Sequence, residues 1–344
     1  MHERQQTIRN RVFFVLRLCV VAGACYLIFK NLNYQEFAGS FKQLKAWVIG
    51  VAVAVKFITE SAMAFRWWIL LRALGVFIPL KTALRLHFHG LFFSSFLPSS
   101  TGGDFIRAWY VTRHTEKRGL SALSVFVDRF AGLFSTALIA VVTFVFWFDR
   151  SVWPLADAGT AGQTISRFIL ISIVLSVLVL SAGLFWIVRK TPNRVSETDG
   201  FLVKIIQKSL LYTREIISAF FRKWWLFPVL ISLTILFQSL TFISFWLIGM
   251  DLGVAGQLRH YFLFFPLVWV IGVIPVSIAG LGILEGGVVL LFVKVAGASP
   301  ETAAALAVCQ RALFLIVSIP GIFVHLRADY LPKTKEHIFI DGSE

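Results

Sequence analysis

Six stretches of this chain are long and apolar enough to cross a bilayer: residues 12–29, 47–72, 121–148, 165–188, 226–249 and 303–325. A helix rises about 1.5 Å per residue, so about 20 apolar residues span the hydrocarbon core. No single water-soluble core could bury so much. Hydrophobic residues make up 58% of the chain, charged residues 15%, and mean hydropathy is +0.79, whereas soluble domains carry about 25% charged residues. Disorder and an ordinary soluble enzyme are thereby excluded. A transmembrane β-barrel would need alternating segments of about 10 residues, and these runs are continuous. The expected fold is an all-α polytopic membrane protein forming a single integral membrane domain over residues 1–344.

Two more apolar stretches are irregular. Residues 84–97 are short and end at Leu97-Pro98-Ser99-Ser100-Thr101-Gly102-Gly103. Residues 258–296 are interrupted by Pro266, Pro275, Gly280, Gly282, Gly286 and Gly287. Such interruptions predict broken or re-entrant segments beside the six spans. Pro98, Gly102, Gly103, Pro275, Ser277, Gly280 and Gly282 are the candidate gating positions. The glycine-rich breaks could also leave backbone N–H groups free at helix N-termini, which favour anions.

Charge orients the spans. There are 33 Lys and Arg against 18 Asp and Glu, a net charge of +15. Basic residues gather at the N-terminus, in 66–85, 103–118 and 189–225, and in the tail; the loops 149–164 and 250–257 hold only Arg150. The positive-inside rule then places both termini in the cytoplasm. The loop 30–45, with Lys30, Lys42 and Lys45, runs against that rule. The expected location is a bacterial cytoplasmic (inner) membrane, and the positive charge belongs to its loops, not to a nucleic-acid face. Within 189–225, Leu202, Ile205, Ile206, Leu210, Ile217 and Phe221 recur at helical spacing. They predict an amphipathic linker helix on the cytoplasmic leaflet, or else a connecting helix packed on the bundle.

The chain repeats itself. Leu74-Gly75-Val76, Pro98, Asp104 and Arg129 in one half are matched by Leu252-Gly253-Val254, Pro275, Glu285 and Arg311 in the other. Gly to Pro is 23 and 22 residues, and acid to Arg is 25 and 26. The repeats are expected over 47–150 and 226–326. Loop charge runs span 47–72 inwards and span 226–249 outwards, so the repeats should be inverted, a transporter design with its site at the repeat interface.

Several charges fall within apolar runs: Arg17, Lys56, Glu60, Arg66, Asp128, Arg129, Glu285 and Arg311. Each costs roughly 2.5–3.5 kcal/mol at a bilayer centre. Arg17 can snorkel to the interface, and Lys56 and Glu60 are four apart and can pair along one helix. Arg129 and Arg311 emerge from helices that begin with small residues, where close packing directs them at protein or a watery cavity. A guanidinium fork suits a phosphate. The candidate lipid-headgroup site is therefore Arg129 and Arg311 with Arg107, and with Asp104 and Glu285 as partners of those arginines or of a cationic headgroup. The competing reading is internal pairing, Arg129 with Asp104 and Arg311 with Glu285. No cofactor is expected. Cys19, Cys25 and Cys309 lack metal-ligand spacing, and His87 and His89, at i and i+2, are poorly placed for one metal. No nucleophile elbow, HExxH or nucleotide loop is present, so no catalytic residue is assigned and an enzyme is not expected.

The segments Arg66-Trp67-Trp68-Ile69-Leu70-Leu71, Leu97-Pro98-Ser99-Ser100-Thr101-Gly102-Gly103-Asp104-Phe105-Ile106-Arg107 and Ile274-Pro275-Val276-Ser277-Ile278-Ala279-Gly280-Leu281-Gly282-Ile283-Leu284-Glu285 resemble the lysylphosphatidylglycerol synthase transmembrane region, the flippase-like UPF0104 family of integral membrane proteins. The resemblance covers nearly the whole chain, with Asp104 where the family pattern has Glu. It implies a lipid-handling role. In fused relatives the membrane part is associated with moving aminoacylated lipid between leaflets, and stand-alone relatives are associated with glycolipid, polyprenyl-lipid or hopanoid pathways. With no soluble aminoacyl-transferase domain in the sequence, lipid synthesis by the chain itself is not expected. The leading expectation is a flippase-like protein that binds and translocates a phospholipid or polyprenyl/glycolipid headgroup. The alternative is an accessory subunit or membrane-embedded enzyme of lipid or cell-envelope glycan assembly, with Asp128 or Glu285 as acid or base. A membrane lipid is the expected substrate, and lipid- or glycan-synthesis enzymes the candidate partners.

Overall fold

The computed structural model describes residues 32–95, 97, 102–147, 211, 226–272 and 280–327. Their regular structure is helical: α1 (Tyr34–Lys42), α2 (Ala46–Ala73), α3 (Leu80–Ser94), α4 (Gly102–Val111), α5 (Arg118–Trp147), α6 (Leu226–Asp251), α7 (Leu258–Ile271), α8 (Ile283–Lys294) and α9 (Pro300–Leu326). Four of these, α2, α5, α6 and α9, are long and apolar enough to cross a membrane, and they coincide with four of the six expected spans. The runs 12–29 and 165–188, the linker 189–225 apart from Leu211, Arg17, Cys19, Cys25, Pro98, Pro275 and Ser277 lie outside the described residues.

The two halves share one plan: long, short, short, long. Helices α2 to α5 make the first set and α6 to α9 the second. The short ones have 15, 10, 14 and 12 residues, about 15–23 Å at 1.5 Å per residue and too short to cross. The Leu-Gly-Val triplets do the same work in both halves. After α2, Gly75 turns left-handed (φ 71°), with Val76 N–H donating to the Leu71 carbonyl and Gly75 N–H to that of Arg72. After α6, Gly253 does so (φ 70°), with Val254 N–H on Gly249 and Gly253 N–H on Met250. This is a Schellman cap, whose left-handed position glycine fills without a Cβ penalty.

The halves are inverted. Lys45, the cap of α2, donates through its backbone N–H and its ammonium to Asp251 at the far end of α6 (3.1 and 3.2 Å). Midway along, the Thr59 hydroxyl donates to the Phe237 carbonyl (3.1 Å). Equivalent helices α2 and α6 therefore run antiparallel. Packing is reciprocal too: α3 of the first half lies on α9 of the second, and α7 of the second on α5 of the first. Such exchange of like contacts marks a two-fold relation.

One end of the bundle gathers Asn33, Lys45, Asp251 and Glu301, with Asn33 N–H donating to Glu301 (3.2 Å). Segments 32–45 and 250–257 thus share a side, as their order in an inverted bundle requires. Short helix α1 was not foreseen. Asn33 caps it, the side chain accepting from Gln35 N–H (3.1 Å).

The breaks are fewer than the sequence suggested. Helix α7 continues through Pro266, and proline is tolerated within membrane helices when tertiary surroundings compensate for the lost bond. Gly286 and Gly287 lie inside α8, not at a break. A Cβ on Gly287 would stand 2.9 Å from a Val268 methyl, so this glycine lets α8 approach α7. Gly103 has the same role in the first half, because a Cβ there would land on the Gly90 carbonyl of α3.

Among the described glycines, Gly321 is the tightest crossing between halves. A Cβ on it would overlap the Phe88 carbonyl of α3. Gly321→Ala is expected to destabilise by about 1–3 kcal/mol through overpacking. Gly50→Ala, at an open helical position, should gain up to about 1 kcal/mol of helix propensity. Thermal unfolding of the two variants in detergent should move in opposite directions. Equal melting would remove the close α3–α9 approach as a determinant of the fold.

Candidate functional site

A cavity of about 270 Å³ opens between the halves. It is lined from α2 by Lys56, Glu60 and Arg66, from α3 by His87, from α4 by Asp104 and Arg107, and from α5 by Asp128 and Arg129. The second half contributes Gln238, Trp269, Glu285, Gln310 and Arg311. The structure thus brings all five expected headgroup residues to one space.

The repeat registers the outer part of the site. Asp104 and Glu285 are each the third residue of their short helix, and Arg129 and Arg311 each the twelfth of their long helix. Arg129 meets Asp104 at 3.6 Å. Arg311 meets Glu285 more tightly, its Nε donating at 2.6 Å. The other oxygen of Glu285 accepts from Gly282 N–H (2.7 Å). The second glycine-rich break therefore does not offer that N–H to an anion, because Glu285 takes it as a helix cap. Both pairings proposed from spacing are present, and both arginines still reach the cavity. The Arg129 side chain is 36% exposed and that of Arg311 20%, against 5% for Arg107 and 4% for Arg66. Gly280 and Gly282 both have left-handed backbones (φ 73° and 82°) at the start of α8, a conformation that favours glycine.

The inner part of the site is a buried chain of charges. Lys56 pairs with Glu60 (2.5 Å), its ammonium lying 4.3 Å over the Phe314 ring. Glu60 meets His87 Nε2 at 3.0 Å. His87 Nδ1 lies 3.0 Å from Arg107 Nη1. Arg107 Nη2 donates to Asp128 (3.0 Å), and its guanidinium lies over the Trp67 ring at 4.4 Å. Asp128 also accepts from Arg66 Nε (3.0 Å), while Arg66 donates to the Asp128 carbonyl (2.9 Å) and to Thr234 of α6. Each ion is paired and hydrogen-bonded, the condition under which buried charge is tolerated.

Arg107 is thus held by Asp128 and His87 rather than presented to the cavity as Arg129 and Arg311 are. Sequence reasoning flags Lys56, Glu60, Arg66 and Asp128 as charges within apolar runs and pairs Lys56 with Glu60, as found, but does not link that pair to Arg66 and Asp128. It dismisses His87 as a metal ligand without finding its partners. Among the described residues no cluster of three His, Cys, Asp or Glu could hold a metal. His89, two residues along, turns away to meet His325 of α9 (3.2 Å).

Charge bookkeeping gives the site its sign. The lining carries five basic side chains, Lys56, Arg66, Arg107, Arg129 and Arg311, against four carboxylates, Glu60, Asp104, Asp128 and Glu285. With His87 neutral the excess is one positive charge, in a low-dielectric setting where an unbalanced charge attracts an anion strongly.

Two comparisons relate the chain to known proteins. A "UPF0104 membrane protein" of Methanothermobacter thermautotrophicus is 24% identical over 334 residues, covering 92% of this chain and 95% of its own. The family described as the lysylphosphatidylglycerol synthase TM region matches residues 14–321, which take in the first repeat, all but the last few residues of the second, and every cavity-lining residue. The chain is an integral membrane protein and belongs to the lysylphosphatidylglycerol synthase transmembrane-region family.

Proposed function

We propose that the chain binds the phosphate of a membrane-lipid headgroup in the inter-repeat cavity and carries it from one leaflet to the other. One observation carries the reading: two symmetry-related arginines, Arg129 and Arg311, face one space between inverted halves, with one positive charge in excess. Inverted repeats can exchange an inward-open and an outward-open form around such a midplane site. In each form the acid of one repeat could hold its arginine while the other arginine is released to the phosphate. The acyl chains would stay in the bilayer, so the cavity needs room only for a headgroup. The end of the bundle bearing Arg72, Lys81, Arg113, Lys117 and Arg118 would face the cytoplasm. The family supports a lipid-related role and does not specify the lipid.

The test is lipid mass spectrometry on gently purified full-length protein, wild type beside Arg129→Ala/Arg311→Ala. Wild type should retain one anionic lipid class above its share of the membrane, and the double variant should lose it. Equal, bulk-like lipid in both would reduce the arginines to internal struts.

A further inference from the structure

The two halves are equal in fold and unequal in charge. With Gly75 set on Gly253, Lys56, Glu60 and Arg66 fall on Thr234, Gln238 and Ser244, and His87 falls on Phe265. With Arg129 set on Arg311, Asp128 falls on Gln310; with Asp104 on Glu285, Arg107 falls on Val288. The outer Arg–acid pairs obey the two-fold relation. The buried charge chain exists once, in the first half. The fold plan alone does not call for charges there, because the second half holds the same architecture with neutral residues in those places.

His87 is the only titratable imidazole in that chain of contacts, and its geometry fixes which nitrogen carries the proton. A guanidinium has donors and no acceptor, so Arg107 Nη1 at 3.0 Å must donate and His87 Nδ1 must accept. A carboxylate accepts, so Nε2 carries hydrogen and donates to Glu60 at 3.0 Å. The imidazole drawn by this structure is therefore neutral, with its Nδ1 lone pair committed to Arg107.

We propose that His87 is the coupling-ion site of the transporter and that the ion is a proton. The proposal rests on the translocase reading above. A proton arriving from water bonds to the Nδ1 lone pair. The Arg107 Nη1–H···Nδ1 hydrogen bond breaks, because two donors and two cations then face each other across 3.0 Å. Glu60 keeps the imidazolium, as a carboxylate accepting from Nε2. Arg107 keeps one link to Asp128, which Arg66 already shares. Its Nη1 is freed, and its Nε has no hydrogen-bond partner among the described residues. The guanidinium can then turn to the cavity and join Arg129 and Arg311 around a phosphate. The cavity's excess rises from one positive charge to two, so proton and anionic headgroup favour each other's binding. That mutual gain is a coupling free energy and is reciprocal.

The groups that could compete for this role have been placed. Facing His87 across α2 are Glu60, with Lys56 on its other oxygen, and Arg66 further along. From α4 come Arg107 and Asp104, and from α5 Asp128 and Arg129. From α9 comes Arg311, paired to Glu285 of α8. His325 of α9 faces His89 and not His87. Of these only an imidazole ordinarily changes charge between about pH 5 and about pH 8.

Two measurements test this separately from translocation itself. The first is nitrogen NMR of 15N-histidine-labelled full-length protein in lipid nanodiscs, with His87 assigned by the signal missing in His87→Gln. At about pH 8 it should read as the neutral Nε2–H form, and at about pH 5 as doubly protonated. An Nδ1–H form at the higher pH, or a neutral ring throughout, would overturn the proposal. The second uses phosphatidylcholine vesicles carrying a fluorescent phosphatidylglycerol, whose phosphodiester keeps one charge across this range. The wild-type translocation rate should rise at least about fivefold from pH 8 to pH 5, and the His87→Gln rate should not respond to pH. Wild-type movement of the probe without pH response would defeat proton coupling and leave the translocase standing. Titration of His87 with no movement of the probe at either pH would count against the translocase while the proton site stood.

Discussion

Asp128→Ala is expected to destabilise the protein by about 3–5 kcal/mol, the usual consequence of stripping one partner from a buried ion pair. Here a single carboxylate holds two guanidiniums. Arg66 reaches it through Nε and Nη2, and Arg107 through Nη2. All three residues are at most 5% exposed, so water cannot replace the lost contacts. The damage would not stay in α5. Arg66 also ties α2 to Thr234 of α6, so freeing it loosens the contact between halves, and Arg107 stacks on Trp67, so freeing it loosens α4 against α2. Asp128→Asn should cost less than Asp128→Ala, since the amide oxygen still accepts from one guanidinium. Thermal unfolding followed by tryptophan fluorescence in detergent would show both. An Asp128→Ala melting temperature within error of wild type would mean that the two arginines find other partners, and the charge chain would lose its structural meaning.

What the sequence revealed and what it concealed divide along physical lines. Features carried by one helix or one turn were legible. The Schellman glycines Gly75 and Gly253 could be matched because the turn demands a residue without a Cβ. Lys56 and Glu60 could be paired because four residues bring side chains to one helix face. The outer pairs Asp104–Arg129 and Glu285–Arg311 were legible because the repeat states the same spacing twice. The inner chain was not. Glu60, His87, Arg107 and Asp128 come from four helices, and nothing local says that α2, α3, α4 and α5 converge there. The price of burying charge gave the only signal, and it identifies residues without naming their partners. His87 lacked even that signal, since a neutral imidazole carries no such penalty. Pro266 misled for the opposite reason: its effect on a helix depends on the neighbours that satisfy the freed carbonyl, and those are tertiary.

Losing both outer arginines should have the largest effect on transport. The Arg129→Ala/Arg311→Ala variant is expected to reach the membrane and keep its fold, and to lose lipid translocation by at least about a hundredfold. A charge-assisted hydrogen bond is worth about 1.5–3 kcal/mol, and two of them lost at a transport barrier amount to about two powers of ten or more. The fold should survive because both side chains reach the cavity and Glu285 keeps its bond to Gly282 N–H. Loss of transport alone would not separate a phosphate ligand from a strut that must open and close. The charge-swapped variant Asp104→Arg/Arg129→Asp separates them. It restores the attraction across the α4–α5 contact but places the cation on the short helix, where the cavity's phosphate position no longer meets it. If Arg129 binds phosphate, the swap should melt like the wild type and remain defective in transport. If Arg129 is a strut, the swap should recover transport in step with stability. The two readings of these arginines that spacing left open thus predict opposite results from one protein, reconstituted once and measured for both properties.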